Sequence, residues 1–360
     1  MAGMNTGRTE PSTLNARATE PTYQVEVGLN GDVFPVFANY NSFVKPSERQ
    51  TGTVILTVTN PTDTLVRNRV AVQIPGWSDQ EIQYVDLGAG QVRKLYFAPT
   101  FHDRLFRNRE ITAATASVHV SDLGGREVYA TTMPVRLRSV DDMYWGKDFT
   151  YARFIASWVT PHDAQIARIL SRAKEFMPGR RMPGYAGTDD STVQELTIRA
   201  QAKAIYLAVQ RSGVSYVNSS LTLGSHGNIE FAERVRMPGE SLRHASANCI
   251  DGAVLYASIF ENLGLEPVIV LVPGHAYVAV RLAEGSSRFL YLDAALTGRA
   301  TFDRSVAAAT RGLAKHNASD VIRISIQEAR QAGIYPMPLP AEEGQSASAS
   351  SPHTPTPVLE

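Results

Sequence analysis

The 360-residue chain contains a single cysteine. An internal disulfide is therefore excluded, and a lone thiol fits a reducing compartment better than a secreted, cross-linked scaffold. Charge of one sign is not in excess either: 35 Lys and Arg balance 35 Asp and Glu, with no long run of one sign. Nucleic acid, whose binding rests on neutralising phosphates, is not an expected partner. No segment has enough consecutive apolar residues to span a bilayer, so no membrane association is expected. The opening MAGMNTGRTEPSTLNARATEPT lacks the apolar core of a signal peptide. That sets the cytoplasm as the expected location, or secretion if the start is mis-assigned or trimmed. The histidines lack the close His/Cys/Asp spacing of a metal site, so neither metal nor other cofactor is expected. What the chain does have is an apolar content of 43% over a length that allows two ordinary domains.

Residues 1–21 are polar and without periodicity, the signature of a disordered tail. Over 22–139 short alternating runs follow one another, at 23–27, 53–59, 69–74, 82–87, 92–97, 114–120 and 128–137. Turn clusters such as Asn60-Pro-Thr-Asp63, Pro75-Gly76 and Gly124-Gly125 separate them. Seven or so strands at this spacing predict an antiparallel β-sandwich of immunoglobulin-like type, without the Cys-Trp-Cys pattern of antibody domains. A spacer or positioning role is the plainer expectation for it, with a surface for a protein partner as the other.

The alternation stops at 140–146, and residues 140–337 predict an α+β domain that begins with a helical extension. Thr160-Pro-His-Asp163 reads as an N-cap, a proline at N1 and an acid at N3. Ser191-Thr-Val-Gln194 reads as a capping box for a helix whose apolar positions are Val193, Leu196, Ala200, Ala204 and Leu207. Residues 214–217 form a short strand in this reading, and 224–236 give no clear signal. Runs at 268–272, 275–282 and 288–293 predict consecutive antiparallel strands. A helix over 302–314 and an amphipathic piece over 322–332 complete the domain, and 338–360 are Pro/Ser-rich and read as a second disordered tail.

The only cysteine stands at the start of a strongly patterned stretch. Asn248 and Asp251 have the spacing of reciprocal caps, Ile250, Val254, Leu255 and Phe260 form an apolar stripe, and Gly264 closes the helix. Cys249 then falls at N1, where the positive end of the helix dipole favours a thiolate. A turn centred near Glu284 would set His275 directly opposite Asp293, with Cβ atoms about 4.5–5.5 Å apart, whereas a slip of one residue would send them to opposite faces. A thiol at a helix start, a histidine to take its proton and an acid to orient that histidine are the parts of thiol acyl transfer. The Cys249 backbone N–H is a natural oxyanion donor, and the sequence names no second one.

These residues occur in a succession that resembles the transglutaminase-like cysteine proteases: Arg236-Met-Pro-Gly-Glu-Ser-Leu242, Asn248-Cys-Ile-Asp-Gly252, Leu263-Gly-Leu-Glu-Pro267, Gly274-His-Ala-Tyr-Val278 and Tyr291-Leu-Asp293. The resemblance covers roughly 197–297. It implies a papain-like α+β fold, a triad of Cys249, His275 and Asp293, and a peptide or protein substrate. The family includes peptidases, amide hydrolases, cross-linking acyltransferases and members without catalysis, so an inactive scaffold that binds a protein partner is the alternative expectation. One departure is that Ala276 follows the histidine, where the family often has an aromatic residue, and Tyr277 comes next. Each residue also has an ordinary structural role: Cys249 as a small core side chain, His275 as a strand end and Asp293 as a helix cap. Glu240 and Asp251 are read as a loop anchor and a cap. His226 and His244 are alternative bases without so well placed an orienter.

Overall fold

The computed structural model describes residues 20–49, 51–186, 189–218 and 232–339. The two expected tails lie almost wholly outside the described residues, as do most of 224–236 and His226. The chain is a mixed α/β protein with several antiparallel sheets, and it divides into two units. The first takes in the described residues up to Val33, then Asn41–His102 and Ile111–Leu137. The second takes in Phe34–Tyr40, Asp103–Glu110 and the described residues from Arg138 onward.

In the first unit, β1 (Thr22–Val27) and β2 (Asp32–Val33) precede α1 (Pro35–Ser42), most of which belongs to the second unit. There follow β3 (Val54–Thr59), β4 (Val66–Gln73), β5 (Glu81–Leu87), β6 (Val92–Phe97), β7 (Thr112–Asp122) and β8 (Glu127–Leu137). They form a three-stranded antiparallel sheet, β1-β3-β6, and a five-stranded sheet, β2-β8-β7-β4-β5, in which only β2 runs parallel to its neighbour. Alternate residues are buried, Val54, Leu56 and Val58 on β3 and Ala116, Val118 and Val120 on β7. This is the period-two pattern that marked these runs in the sequence. Contacts join the two sheets: the Tyr23 ring stacks on Tyr129 at 5.0 Å, and the Gln83 amide donates to the Tyr96 carbonyl at 2.9 Å.

The expected boundaries, 22–139 and 140–337, treat each domain as one stretch, and the structure departs from that at two places. Residues 34–40 and 103–110 group with the second unit. There Phe34 and Phe37 pack on Tyr144, and Arg109 pairs with Asp141 at 2.9 Å and Glu240 at 2.5 Å. Contacts with residues so distant in sequence leave no local pattern to read.

From Arg138 onward the second unit contains β9 (Asp142–Tyr144), α2 (Ala164–Ala173) and α3 (Ser191–Arg211). Next come β10 (Ser215–Tyr216), β11 (Ala232–Arg234), α4 (Pro238–Arg243), β12 (Ser246–Ala247) and α5 (Cys249–Asn262). The chain then forms β13 (Pro267–Val272), β14 (His275–Arg281), β15 (Phe289–Leu292), α6 (Phe302–Leu313), β16 (Ile322–Ser325) and α7 (Ile326–Gln331). A four-stranded antiparallel sheet, β15-β14-β13-β16, carries the core. Side chains alternate across a strand. Val268, Val270, Tyr277 and Ala279 on one face cluster with Ala309 of α6, and α5 packs against β13 and β14 on the other. α5 is buried throughout Ile250–Phe260, so it is a central helix rather than a surface helix with one apolar stripe.

Two helix starts differ from expectation. Asp163, not Thr160, caps α2, its carboxylate accepting from the Gln165 N–H at 2.8 Å. Asp190, not Ser191, caps α3. Val193 and Leu196 are exposed, and the buried face of α3 instead includes Gln194 and Gln201. The Gln201 amide both donates to the Gly184 carbonyl (3.0 Å) and accepts from its N–H (2.9 Å). Gln194 accepts from the Glu284 N–H at 3.0 Å. These bonds satisfy loop backbone groups that burial would otherwise leave unpaired. The stretch 322–332 is a strand followed by a helix rather than one amphipathic piece.

Candidate active site

The start of α5 forms a reciprocal cap. Asn248 accepts from the Asp251 N–H at 2.7 Å, and Asp251 accepts from the Asn248 N–H at 3.1 Å. The other Asp251 oxygen accepts from the Arg236 N–H at 2.8 Å, tying the incoming loop to the helix. Cys249 is the first residue of α5, and its thiol is free and half-buried. Glu240 lies on α4 rather than in a loop, and it pairs with Arg109 at 2.5 Å.

His275 opens β14, and its Nε2 lies 3.1 Å from Asp293 Oδ1. The Cys249 thiol is close enough to this ring to favour its charged form. Burial opposes charging of this imidazole. The bond to Asp293, followed by the contact with Cys249, outweighs that and pushes its pKa up to about 9. The Tyr277 ring meets the imidazole edge-on, with centroids 4.7 Å apart and planes at 80°.

The expected hairpin register is corrected. β14 pairs Val278 with Leu292 and Arg281 with Phe289, so the register is shifted by two residues from one that opposes His275 to Asp293. A shift of two preserves the face, whereas a shift of one would have lost it. His275 and Asp293 are therefore diagonal neighbours, still within reach of their side chains. Asp293 lies just past the end of β15 and caps the turn Ala294–Leu296, with Oδ1 also accepting from the Ala295 N–H at 3.1 Å. The cap role and the histidine-orienting geometry belong to the same oxygen. Ser305 of α6 donates to the Asp293 carbonyl at 2.7 Å, which fixes the turn from behind.

The turn also touches α5. A Cβ on Gly252 would lie 2.8 Å from that of Ala294, closer than side chains approach, so glycine is required for the turn to sit against the cysteine helix. Tyr216 on β10 is 42% exposed and couples electrostatically to Cys249, Asp293 and Arg299. Its phenol is pushed up, by burial first and then by Cys249, so it keeps its proton as a donor. Glu233 on β11 is pushed up to about 7 by burial and then by Asp251, while the Trp145 indole N–H favours its charged form. The sequence offered no motif for Tyr216 or Glu233, because each joins the site by tertiary approach, and Gly252 stood in the Asn248-Cys-Ile-Asp-Gly252 motif without the contact that requires a glycine there. Tyr277 was visible only as an aromatic two residues after His275.

No family model and no curated protein matches the chain. Of the other histidines considered, His244 is exposed at the C-terminal end of α4, and His119 pairs with Glu127 at 2.9 Å in the first unit. Among the described residues no His, Cys, Asp or Glu cluster could hold a metal ion, and no helix is long and apolar enough to cross a membrane.

Proposed function

We propose that the protein is a cysteine-dependent acyl-transfer enzyme of transglutaminase-like type, acting as a peptidase or amidase on a peptide or protein. The observation that carries this is His275 bonded through Nε2 to the Asp293 carboxylate at 3.1 Å, with the Cys249 thiol near enough to act on its charge. In this reading the Sγ proton passes to His275 and the sulfur attacks the acyl carbon of the amide. The C–S bond forms, and the carbonyl π pair moves to oxygen, where the Cys249 N–H donates to it. Collapse breaks the C–N bond, and the amine leaves with the proton from His275. Water, or an amine in a transfer reaction, then attacks the thioester as His275 takes its proton, and the thiol is restored. An imidazole that titrates near 9 carries, at neutral pH, the proton the leaving amine needs.

The papain-like assignment of the second unit is supported by a cysteine-started central helix packed on an antiparallel sheet that supplies the histidine. The immunoglobulin-like assignment of the first is supported by its two joined sheets, and we give it a positioning role. The free thiol suits a reducing setting such as the cytoplasm.

The test is alkylation of the single thiol by iodoacetamide as a function of pH, with loss of turnover in Cys249→Ala. Cys249 is expected to react faster than an ordinary thiol below about pH 7. A slow thiol with an ordinary pH profile overturns the reading.

A further inference from the structure

Acyl transfer needs two donors at the carbonyl oxygen, and the Cys249 N–H is one. We propose that the Tyr216 hydroxyl is the second, donating to the oxyanion formed at Cys249. This rests on the reading of Cys249 as a nucleophile and adds a catalytic residue to it.

β10 is held between the two segments that carry the reacting groups. On one side it pairs in parallel with β12, Ser215 with Ser246 and Tyr216 with Ala247, and the Val217 N–H donates to the Ala247 carbonyl at 3.1 Å. Neighbouring strands lie about 4.8 Å apart, so Tyr216 starts one strand spacing from a residue two positions before the nucleophile. On its other side β10 presses on the turn after Asp293: a Cβ on Gly298 would lie 3.1 Å from the Ser215 Cα and from the Val214 carbonyl oxygen. The backbone carrying Tyr216 is thus fixed by both walls of the site.

Cys249, Asp293 and Arg299 all lie near enough to the phenol to act on it electrostatically. Its hydroxyl has no hydrogen-bond partner among the described residues, and the ring is part exposed, as a group waiting for a ligand atom must be. The other candidates near the thiol are committed. His275 is engaged by Asp293, and the Tyr277 hydroxyl end packs against Gly312 of α6. Tyrosine is among the side chains that fill this role in acyl transfer.

The test compares wild type with Tyr216→Phe, which keeps the ring and removes the donor. The probe is the aldehyde acetyl-Phe-glycinal carrying ¹³C at its carbonyl. Cys249 Sγ adds to that carbon and the thiol proton goes to the oxygen, so a hemithioacetal forms with nothing oxidised or reduced. Tyr216→Phe is expected to bind the aldehyde at least about tenfold more weakly, read by ¹³C NMR, and removal of one such donor costs about 10²- to 10³-fold in kcat on a cleaved substrate. Iodoacetamide, whose reaction develops no oxyanion, is expected to alkylate both proteins at the same rate. Equal aldehyde affinity in the two proteins, or no adduct in wild type despite fast alkylation, overturns the inference and leaves the nucleophile standing. Slow alkylation of wild type overturns the nucleophile and the inference with it.

Discussion

Replacing Asp293 by asparagine removes a charge from the site while keeping its shape. The amide oxygen can still accept from the Ala295 N–H, so the turn after β15 keeps its cap. What is lost is the carboxylate 3.1 Å from His275 Nε2, the strongest of the influences that raise this imidazole. Burial pulls the other way and remains. The titration of His275 is therefore expected to fall from about 9 toward the ordinary histidine value, near 6.5. A fall of that size is roughly 300-fold in proton affinity, with a ceiling of about 3 kcal/mol. The His275 side chain is 27% exposed, and solvent screening brings the expected stability difference down to about 1–2 kcal/mol.

The pH dependence has a definite sign. A histidine raised on folding stabilises fully below its unfolded value of about 6.5 and loses that contribution as pH rises through its folded value. Wild type is therefore expected to exceed Asp293→Asn in stability near pH 6 and to converge with it near pH 10. The assay is a ring-proton NMR titration with urea unfolding at both pH values, the His275 resonance being assigned by its loss in His275→Gln. A midpoint that stays where wild type has it, or a stability gap that grows with pH, refutes the reasoning.

Gly252→Ala is expected to push the Asp293 turn away from α5, with overpacking of about 1–3 kcal/mol partly offset by about 1 kcal/mol of helix propensity. Turnover should fall while the thiol still alkylates, and unchanged turnover would show that the 2.8 Å approach to Ala294 can relax freely. Gln201→Ala leaves the Gly184 N–H and carbonyl unpaired at a fully buried position, for an expected loss of about 2–4 kcal/mol by urea unfolding, and a loss below about 1 kcal/mol would mean that water replaces both bonds.

The clearest signals in the sequence were those that repeat over short distances. The alternation along 53–59 and 114–120 predicted β3 and β7 because a half-buried strand exposes every second residue. The Asn-x-x-Asp spacing predicted the start of α5 because both partners of that cap lie within one turn. Patterns failed where buried polar groups took the core face, as with Gln194 and Gln201 on α3, or where the nearest capping residue differed, as at Asp163 and Asp190.

For the site, the sequence by itself determined the identity and order of Cys249, His275 and Asp293 and the helix start under the thiol, all of which are local or depend only on strand parity. Tertiary structure decided the rest. It chose a register two residues away from the simple hairpin, and the shared face survived because side chains alternate with a period of two. It also brought Tyr216 and Gly252 to the same centre, through contacts between segments far apart along the chain.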